Sequence, residues 1–234
     1  SHIHFVSNKQ AAKRLIQMGE IKESVFTIGS PDLDIMFSDQ LPDLVTVKEY
    51  YKIDFENYAI EMFHPVTTEI KEMQKYAENF VSSLLQDNHN YIVIFPNNDL
   101  GSQFIIEAYK RLKENKRFRI FPSLRFEYFL TLLKNSQFII GNSSAGIREA
   151  PYYGIPIINI GTRQQNRAVH ADIINTNYSE EGIIESLAVI DSHKVQNVED
   201  DFGKGNSNVL FLECLQKEDI WLLNHQKQFR DLSN

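Results

Sequence analysis

Short apolar runs alternate along the chain with longer amphipathic stretches, and this alternation restricts the fold more than any other feature of the sequence. The runs are rich in Ile, Val and Phe and mostly lack polar residues at alternate positions. That pattern is typical of parallel strands that helices cover on both faces. Strands are predicted at residues 3–6, 25–28, 58–63, 91–95, 118–121, 137–140, 155–160 and 172–175. The sequence therefore predicts an α/β fold with a Rossmann-like, three-layer parallel sheet.

Between these runs, apolar residues recur every three or four positions, as on the buried face of an amphipathic helix. The stretch 67–85 places Met73 and Ala77 in this way, with Thr67 and Thr68 as candidate N-caps. Helices are predicted at residues 67–85, 100–114, 124–134, 144–153, 179–190, 207–216 and 217–231.

The same pattern divides the chain into four parts. Residues 1–37 form a strand–helix–strand piece, and residues 38–57, with charges and no strong periodicity, form a linker that contains a short helix. Residues 58–216 form a complete α/β domain, and a final helix lies within 217–234. Since the chain opens inside an apolar run and has no starting methionine, we expect it to be a piece of a longer protein.

Charge and cysteine content limit the partners that the chain can have. The formal net charge is -7 and no stripe of Lys and Arg occurs, which argues against nucleic acid. A single cysteine, Cys214, fits a reducing cytoplasm, and the apolar runs are too short to span a membrane. No metal-ligand spacing, P-loop or Gly-x-Gly-x-x-Gly word is present, so we expect neither a metal nor a cofactor.

A candidate anion site lies at 141–149, which reads Gly-Asn-Ser-Ser-Ala-Gly-Ile-Arg-Glu and follows a predicted strand. The first turn of a helix offers N–H groups and a positive dipole end, and Ser143 and Ser144 add hydroxyl groups that suit a phosphate. Glu149, on roughly the same helix face as Gly146, can accept hydrogen bonds from both hydroxyls of a ribose. The alternative is a capped helix with a solvated glutamate.

Two further polar clusters follow predicted strands. His64, in the run Phe-His-Pro-Val-Thr-Thr at 63–68, can donate to a phosphate or act as a general acid. The alternative is a structural histidine at the edge of the sheet. In the run Phe-Pro-Asn-Asn-Asp at 95–99, Asn97 can bond a ligand, whereas Asp99 is predicted to be an N-cap.

A glycine turn at 160–167 carries two arginines, Arg163 and Arg167. A guanidinium group pairs with phosphate oxygens in a bidentate way, so Arg163 is a candidate for clamping a diphosphate. The alternative is a pair of exposed arginines. Because the carboxyl ends of parallel strands meet at one edge of a sheet, we expect all four clusters to converge there.

Taken together, these segments resemble the hydrolysing UDP-N-acetylglucosamine 2-epimerases, and the resemblance covers nearly the whole chain. Further matching words are Gly-Ser-Pro at 29–31 and Gly-Lys-Gly-Asn at 203–206. The words Gly-Asn-Ser-Ser and Gly-Thr-Arg-Gln favour the hydrolysing branch over the non-hydrolysing one. The resemblance implies a GT-B-like enzyme with two Rossmann-like lobes. This chain would be the UDP-binding second lobe, the tail of the first, and a last helix that packs back on the first.

The resemblance also implies roles for particular residues. Ser143 and Ser144 would bind the diphosphate, and Arg163 and His64 would contact the phosphates and the leaving group. Glu149 would bind the ribose. The implied UDP-binding residues, with His64 as the catalytic one, are His64, Asn97, Ser123, Ser143, Ser144, Glu149 and Arg163. Backbone groups around Ser123 would contact uracil, and Asn97 would line the pocket near the diphosphate.

The reaction that the resemblance implies has two stages. A base removes the proton at C2 while UDP leaves from C1, which gives a glycal. Water then adds with inversion at C2 and releases N-acetylmannosamine for sialic-acid-type sugars. The carboxylates of this reaction belong to the first lobe, so we expect the 234-residue chain to contact UDP without catalysing. Family members are homo-oligomers, and we expect the same here.

Three other functions are compatible with the sequence. A UDP-N,N'-diacetylbacillosamine 2-epimerase of the legionaminic acid route shares these motifs. A GT-B glycosyltransferase also binds its nucleotide through a serine-containing turn and a glutamate. A non-catalytic nucleotide-binding module is the third.

Overall fold

The computed structural model describes residues 1–164, 172–195, 202–224 and 226. The chain forms two compact units. The smaller unit comprises Ser1–Leu41 and Asp200–Asn234, and the larger unit comprises Pro42–Glu199. No helix among the described residues is long and apolar enough to cross a membrane.

Two parallel sheets form the framework of the two units. The smaller unit contains β1 (His4–Val6) and β2 (Val25–Thr27), which pair in parallel. The strands of the larger unit are β3 (Ala59–Met62), β4 (Tyr91–Ile94), β5 (Phe118–Phe121), β6 (Ile139–Gly141), β7 (Ile157–Ile160) and β8 (Ile173–Thr176). They form a six-stranded parallel sheet in the order β5-β4-β3-β6-β7-β8. Counted from its own first strand, this order is 3-2-1-4-5-6, that of a Rossmann-like sheet. The predicted α/β class and parallel sheet are confirmed.

Helices connect most of the strands. The α-helices are α1 (Lys9–Gln17), α2 (Pro31–Met36), α3 (Leu44–Tyr51), α4 (Met73–Gln86), α5 (Ser102–Tyr109), α6 (Phe126–Lys134), α7 (Ala145–Arg148), α8 (Glu180–Ile190) and α9 (Ser207–Leu215). Short 3₁₀ helices lie at Lys22–Ser24, Thr67–Glu72, Lys110–Leu112, Ala150–Tyr153 and Glu218–Leu222.

The core of the larger unit lies between one face of the sheet and the helices α4, α5 and α8. Phe63, Phe80 and Ile140 are fully buried in it. Residues of β4 and β7 are buried along their whole length, which explains why these strands lack polar alternation. Burying each large apolar side chain contributes roughly 1.5–3 kcal/mol before conformational entropy is subtracted.

The order of the strands creates a crevice between β3 and β6. From β3 the chain proceeds to β4 on one side, and from β6 it proceeds to β7 on the other. In open α/β sheets such a reversal leaves a crevice at the carboxyl ends of the strands, where ligands bind. The residues that directly follow β3 and β6 therefore lie at the favoured place for a site.

Several predicted helices are interrupted. The helix predicted at 67–85 begins as the 3₁₀ turn Thr67–Glu72, where Glu69 leaves helical geometry, and Thr67 and Thr68 are not N-caps. The helix predicted at 144–153 ends as α-helix at Arg148, because Pro151 lacks the N–H that a continuous helix requires. Of the helix predicted at 217–231, the structure shows only the turn Glu218–Leu222; residues 225 and 227–231 lie outside the described part.

The predicted domain boundaries and the two units divide the chain differently. Helix α3 occupies part of the predicted linker at 38–57 and belongs to the larger unit. Helix α9, which the prediction assigns to the domain 58–216, belongs to the smaller unit. Its first residues bond the carboxylate of Asp34, which accepts hydrogen bonds from Ser207 N and Oγ and from Asn208 N, each over 2.8 Å.

Candidate functional site

Asn142 links the ends of the two strands that flank the crevice. The N–H of His64 donates to Asn142 Oδ1 over 2.7 Å, and Asn142 Nδ2 donates to the carbonyl oxygen of His64 over 2.8 Å. The asparagine is fully buried. This pair of hydrogen bonds holds the segment after β3 against the segment after β6.

Two side chains of the turn after β7 reach the same asparagine. Arg163 Nη1 donates to the carbonyl oxygen of Asn142 over 3.0 Å, and Gln164 Nε2 donates to the same oxygen over 2.8 Å. The predicted ligands His64 and Arg163 are therefore brought together through a shared neighbour. Gln165, Asn166 and Arg167, the rest of the predicted turn, lie outside the described residues.

The conformation of this turn requires glycine at position 161. Gly161 has a φ of 71°, and a Cβ atom there would lie 2.0 Å from Tyr178 Cζ. The N–H of Thr162 donates to the Tyr178 hydroxyl over 3.3 Å, and Thr162 Oγ1 donates to Glu69. Tyr178 in turn stacks on Tyr76 with ring centroids 3.9 Å apart. These contacts fix the start of the turn, so that Arg163 extends from a well-supported position.

The imidazole ring of His64 has a defined protonation state. Its Nδ1 accepts a hydrogen bond from the N–H of Asn97 over 3.2 Å, so the ring proton lies on Nε2. Burial and the nearby charge of Arg163 lower the pKa of His64 to about 4. At neutral pH the ring is therefore uncharged and offers one donor, Nε2–H.

Asn97 participates in the site through its main chain, while its side chain bonds elsewhere. Its Nδ2 donates to Asp99 Oδ2 over 2.6 Å. The prediction that Asp99 caps the next helix is wrong: α5 begins at Ser102, and its N-cap is Gly101 with a φ of 103°. A Cβ atom at position 101 would lie 2.7 Å from Ile70 Cδ1, so the main chain at Gly101 packs closely against Ile70. The N-cap accordingly lies at Gly101, two residues after Asp99.

The serines after β6 lie directly beside Asn142 in the sequence. Ser143 is buried and its Oγ accepts from the N–H of Ala145 over 3.3 Å, while Ser144 is the N-cap of α7. Gly141 has a φ of 136°, and a Cβ atom there would lie 2.0 Å from the carbonyl oxygen of Met62. This close approach brings the two serines next to the end of β3. Because α7 has only four residues, its dipole is short, and local N–H groups matter more than the predicted long helix.

Glu149 and Ser123 are the two remaining predicted ligands. Glu149 follows α7 as its C-cap, and burial together with the charge of Glu149 raises the pKa of Tyr153 to about 12. Ser123 is exposed and follows β5, the edge strand, which β4 separates from β3. With strands roughly 4.8 Å apart, Ser123 lies about 10 Å from the strand that leads to His64. Its role at uracil stays a prediction.

Sequence reasoning gave no role to three residues of this arrangement. Asn142 and Gln164 lie within the motifs but were treated only as their neighbours, and Glu69 was part of a helix pattern. A polar amide next to a glycine at the end of a buried strand is the signal that could have identified Asn142. No group of three or more His, Cys, Asp or Glu side chains that could hold a metal occurs among the described residues.

The chain is similar to proteins of one enzyme family. Residues 1–216 match the family model described as UDP-N-acetylglucosamine 2-epimerase. A UDP-N-acetylglucosamine 2-epimerase of Neisseria meningitidis serogroup B is 47% identical over 236 residues, which cover 100% of this chain and 62% of that protein. A GDP/UDP-N,N'-diacetylbacillosamine 2-epimerase (hydrolyzing) of Campylobacter jejuni is 35% identical over 182 residues, which cover 75% of this chain and 47% of that protein. The chain thus spans less than two thirds of the length of these relatives.

A solved structure shows the same fold at low sequence identity. The UDP-GlcNAc 2-epimerase from Neisseria meningitidis, solved bound to UDP-GlcNAc, has a TM-score of 0.72 and 19% identity, and the match covers 92% of this chain and 61% of that one. The family model matches nearly the whole chain, from the first strand to the end of α9. The chain therefore belongs to the UDP-N-acetylglucosamine 2-epimerase family.

Proposed function

We propose that this chain is the UDP-binding part of a hydrolysing enzyme that converts UDP-N-acetylglucosamine to N-acetylmannosamine and UDP. One observation carries the proposal: the neutral ring of His64 and the guanidinium group of Arg163 are held together by Asn142 at the crevice between β3 and β6. A hydrogen-bond donor and a cation at that place suit a diphosphate.

The same two groups suit the departure of UDP from C1. When the bond from C1 to oxygen breaks, negative charge develops on the β-phosphate. A fixed guanidinium group and a fixed N–H donor stabilise such charge because they need no reorganisation. With a pKa of about 4, His64 is a neutral imidazole at neutral pH and does not act as a general acid, so its role is donation of a hydrogen bond from Nε2–H.

The proposal assigns the remaining contacts of the nucleotide to the other residues that the resemblance implied. In the proposal, Ser143 and Ser144 donate to the diphosphate from the loop after β6, and Asn97 lines the pocket beside them. Glu149 accepts from the ribose hydroxyls, and main-chain groups near Ser123 contact uracil.

Removal of the C2 proton is assigned to groups outside the 234 residues. The chain spans 62% of the length of its Neisseria relative, and the base would lie in the part that it does not span. We therefore propose that the 234-residue chain binds UDP but does not turn over substrate. Measurable turnover by the purified chain would contradict this.

Calorimetric titration with UDP tests the site itself. We expect wild-type chain to bind UDP, and Arg163→Met to weaken binding about tenfold or more through loss of a charge-assisted contact. Arg111→Met is the matched control, since Arg111 bonds Ser82 Oγ on the helical layer. Equal affinities for wild type and Arg163→Met would refute the diphosphate site.

The reaction is tested in a protein extended to the full length of the Neisseria relative. NMR in deuterated water follows the anomeric proton of UDP-N-acetylglucosamine. Release of UDP with N-acetylmannosamine deuterated at C2 supports the hydrolysing epimerase. Formation of UDP-N-acetylmannosamine would indicate a non-hydrolysing enzyme, and transfer of sugar to an added acceptor would indicate a glycosyltransferase.

A second candidate substrate is UDP-N,N'-diacetylbacillosamine. It is a candidate because the GDP/UDP-N,N'-diacetylbacillosamine 2-epimerase of Campylobacter jejuni is 35% identical to this chain over 182 residues. The two substrates differ at C4 and C6 of the sugar, so parallel assays of the extended protein with both compounds separate the two functions.

A further inference from the structure

We propose that Asn142 is a positioning residue, which sets the placement of His64 relative to Arg163 at this site. The inference rests on the proposed function only in that this placement serves a diphosphate. It starts from four hydrogen bonds that meet on one buried residue, two through its side chain and two through its carbonyl oxygen.

The side chain of Asn142 determines the main-chain position of His64. Its amide group bonds both the N–H and the carbonyl oxygen of His64, at 2.7 and 2.8 Å, as a neighbouring strand would. The main chain of His64 is thereby fixed. Because the N–H of Asn97 also holds Nδ1 of the ring, the direction of the Nε2–H bond is determined.

The carbonyl oxygen of Asn142 determines the position of the turn after β7. It accepts hydrogen bonds from Arg163 Nη1 and Gln164 Nε2 together. Gln164 is 2% exposed, so this anchor is shielded from competing water. Asn142 therefore positions both groups. Its side chain holds the main chain of His64, and its carbonyl oxygen holds the guanidinium group of Arg163.

Asparagine suits this arrangement because its short side chain carries both a donor and an acceptor. Aspartate keeps the acceptor for the His64 N–H, but when ionised it sets a carboxylate oxygen against the His64 carbonyl oxygen. Serine is too short to reach both groups. Because Asn142 is fully buried, water does not replace a lost partner, and the segment after β3 must move instead.

The test is a comparison of two asparagines in the 234-residue chain. Asn142→Ser removes the amide that holds His64. Asn159→Ser is the matched control, because Asn159 is also buried and donates a 2.8 Å hydrogen bond, but to Asn175 in β8. Asn142→Asp, which keeps the size of the side chain, provides the second variant if the serine protein does not fold.

The spectroscopic measurement uses the imidazole ¹⁵N resonances, with His64 identified by its absence from His64→Gln. In the wild type we expect the resonances of a neutral ring that carries its proton on Nε2 and accepts a hydrogen bond at Nδ1. In Asn142→Ser and Asn142→Asp we expect this signature to be lost and the pKa of His64 to rise by about one unit or more. In Asn159→Ser we expect the wild-type signature.

UDP titration of the same proteins provides the second measurement. Weakening of UDP binding by about tenfold in the Asn142 variants, with Asn159→Ser near wild type, supports the positioning role. A wild-type His64 signature in either folded Asn142 variant overturns it, as does an equal change in Asn159→Ser. If wild type does not bind UDP, the proposed function fails, whereas a changed His64 signature still supports the positioning role.

Discussion

The hydroxyl of Tyr109 donates a hydrogen bond to Glu61 Oε1 over 2.6 Å, in a part of the core where both side chains are shielded from solvent. Glu61 lies in the middle of β3, three residues before His64. Burial raises the pKa of Glu61 to about 8, although the Tyr109 hydrogen bond acts in the opposite direction. The carboxyl group is therefore protonated at neutral pH.

This buried acid predicts that stability decreases as the pH rises. The unfolded carboxyl ionises near its ordinary pKa of 4.5, and the folded one only near 8. Between pH 4.5 and 8 the folded state therefore holds a proton that the unfolded state has lost. The stabilisation that this proton gives is fully present below pH 4.5 and is lost as the pH rises to about 8. The slope is at most about 1.4 kcal/mol per pH unit. Urea unfolding at pH 5, 6.5 and 8 measures it.

Substitution of Glu61 by glutamine tests the assignment. Glu61→Gln cannot ionise and should flatten the pH dependence, with stability at pH 8 at or above that of wild type. Glu114→Gln, at an exposed position, should leave the dependence unchanged. A wild-type slope in Glu61→Gln would show that the carboxyl group is not the source.

A second pH effect, of a different origin, is expected from His89. Its ring bridges two carboxylates, with Nδ1 2.8 Å from Asp87 and Nε2 3.0 Å from Asp191. The hydrogen bond that the ring donates to the carboxylate of Asp87 is the largest cause that raises the pKa of His89. Stabilisation by the charged ring is thus present below its ordinary pKa of 6.5 and lost as the pH rises through the higher folded value.

His89→Gln should therefore lower the free energy of unfolding by about 1 kcal/mol at pH 6 and by less at pH 9. Unfolding in urea at the two pH values provides the comparison. The variant Asp191→Asn serves as a milder reference, because its side chain is 68% exposed. Equal destabilisation at both pH values would mean that His89 stabilises the fold through its neutral ring and that the charge of the ring contributes nothing.

Two glycines with similar backbone geometry should respond differently to alanine. Gly161 and Gly154 have φ values of 71° and 66°. A Cβ atom at Gly161 would overlap the ring of Tyr178, whereas one at Gly154 meets nothing within 4 Å. Gly154→Ala should cost about 1 kcal/mol for the left-handed backbone alone. Gly161→Ala should cost about 2 kcal/mol more, and in the proposed function it should also weaken UDP binding.

Thermal unfolding and UDP titration of the two alanine variants provide the measurements. Since the backbone strain is common to both, the difference between them isolates the Tyr178 contact. Equal unfolding temperatures would show that the turn after β7 tolerates displacement of Tyr178.

The carboxylate of Asp34 should contribute measurably to the stability of α9. It bonds two main-chain N–H groups and one hydroxyl group at the start of that helix. Asp34→Ala leaves these donors without their acceptor and should lower the free energy of unfolding by about 1–2 kcal/mol. Asp39→Ala, at an exposed position nearby in the sequence, is the control. Hydrogen exchange of the first amides of α9 should be faster in Asp34→Ala only.

The strands of the larger unit could be predicted from the sequence because helices cover both of their faces. Ile158 and Ile160 face one layer and Ile157 the other, so three of the four residues of β7 are apolar and only the buried Asn159 is polar. The ends of these strands also predicted that His64 and Arg163 lie near one another, and both residues bond Asn142.

The contacts between strand ends could not be read in the same way. Nothing local in the sequence pairs Asn142 with His64, or Glu69 with Thr162, which is 93 residues away. The misplaced cap at Asp99 has the same origin, since the start of α5 depends on how closely Gly101 approaches Ile70. The periodicity of apolar residues predicts which positions are buried. The hydrogen bonds between strand ends and the start of α5 depend instead on contacts between segments that are distant in the sequence.

The hydrogen bonds between His64 and Asn142 join residues that are 78 positions apart in the chain. Closing so long a loop costs more conformational entropy than closing the shorter loop that pairs β3 with β4. A partly folded chain that has formed β3, β4 and β5 alone therefore contains no site. Ligand binding at this edge of the sheet thus indicates that β6 has paired with β3. The free energy of binding then stabilises only the chain in which the sheet is complete.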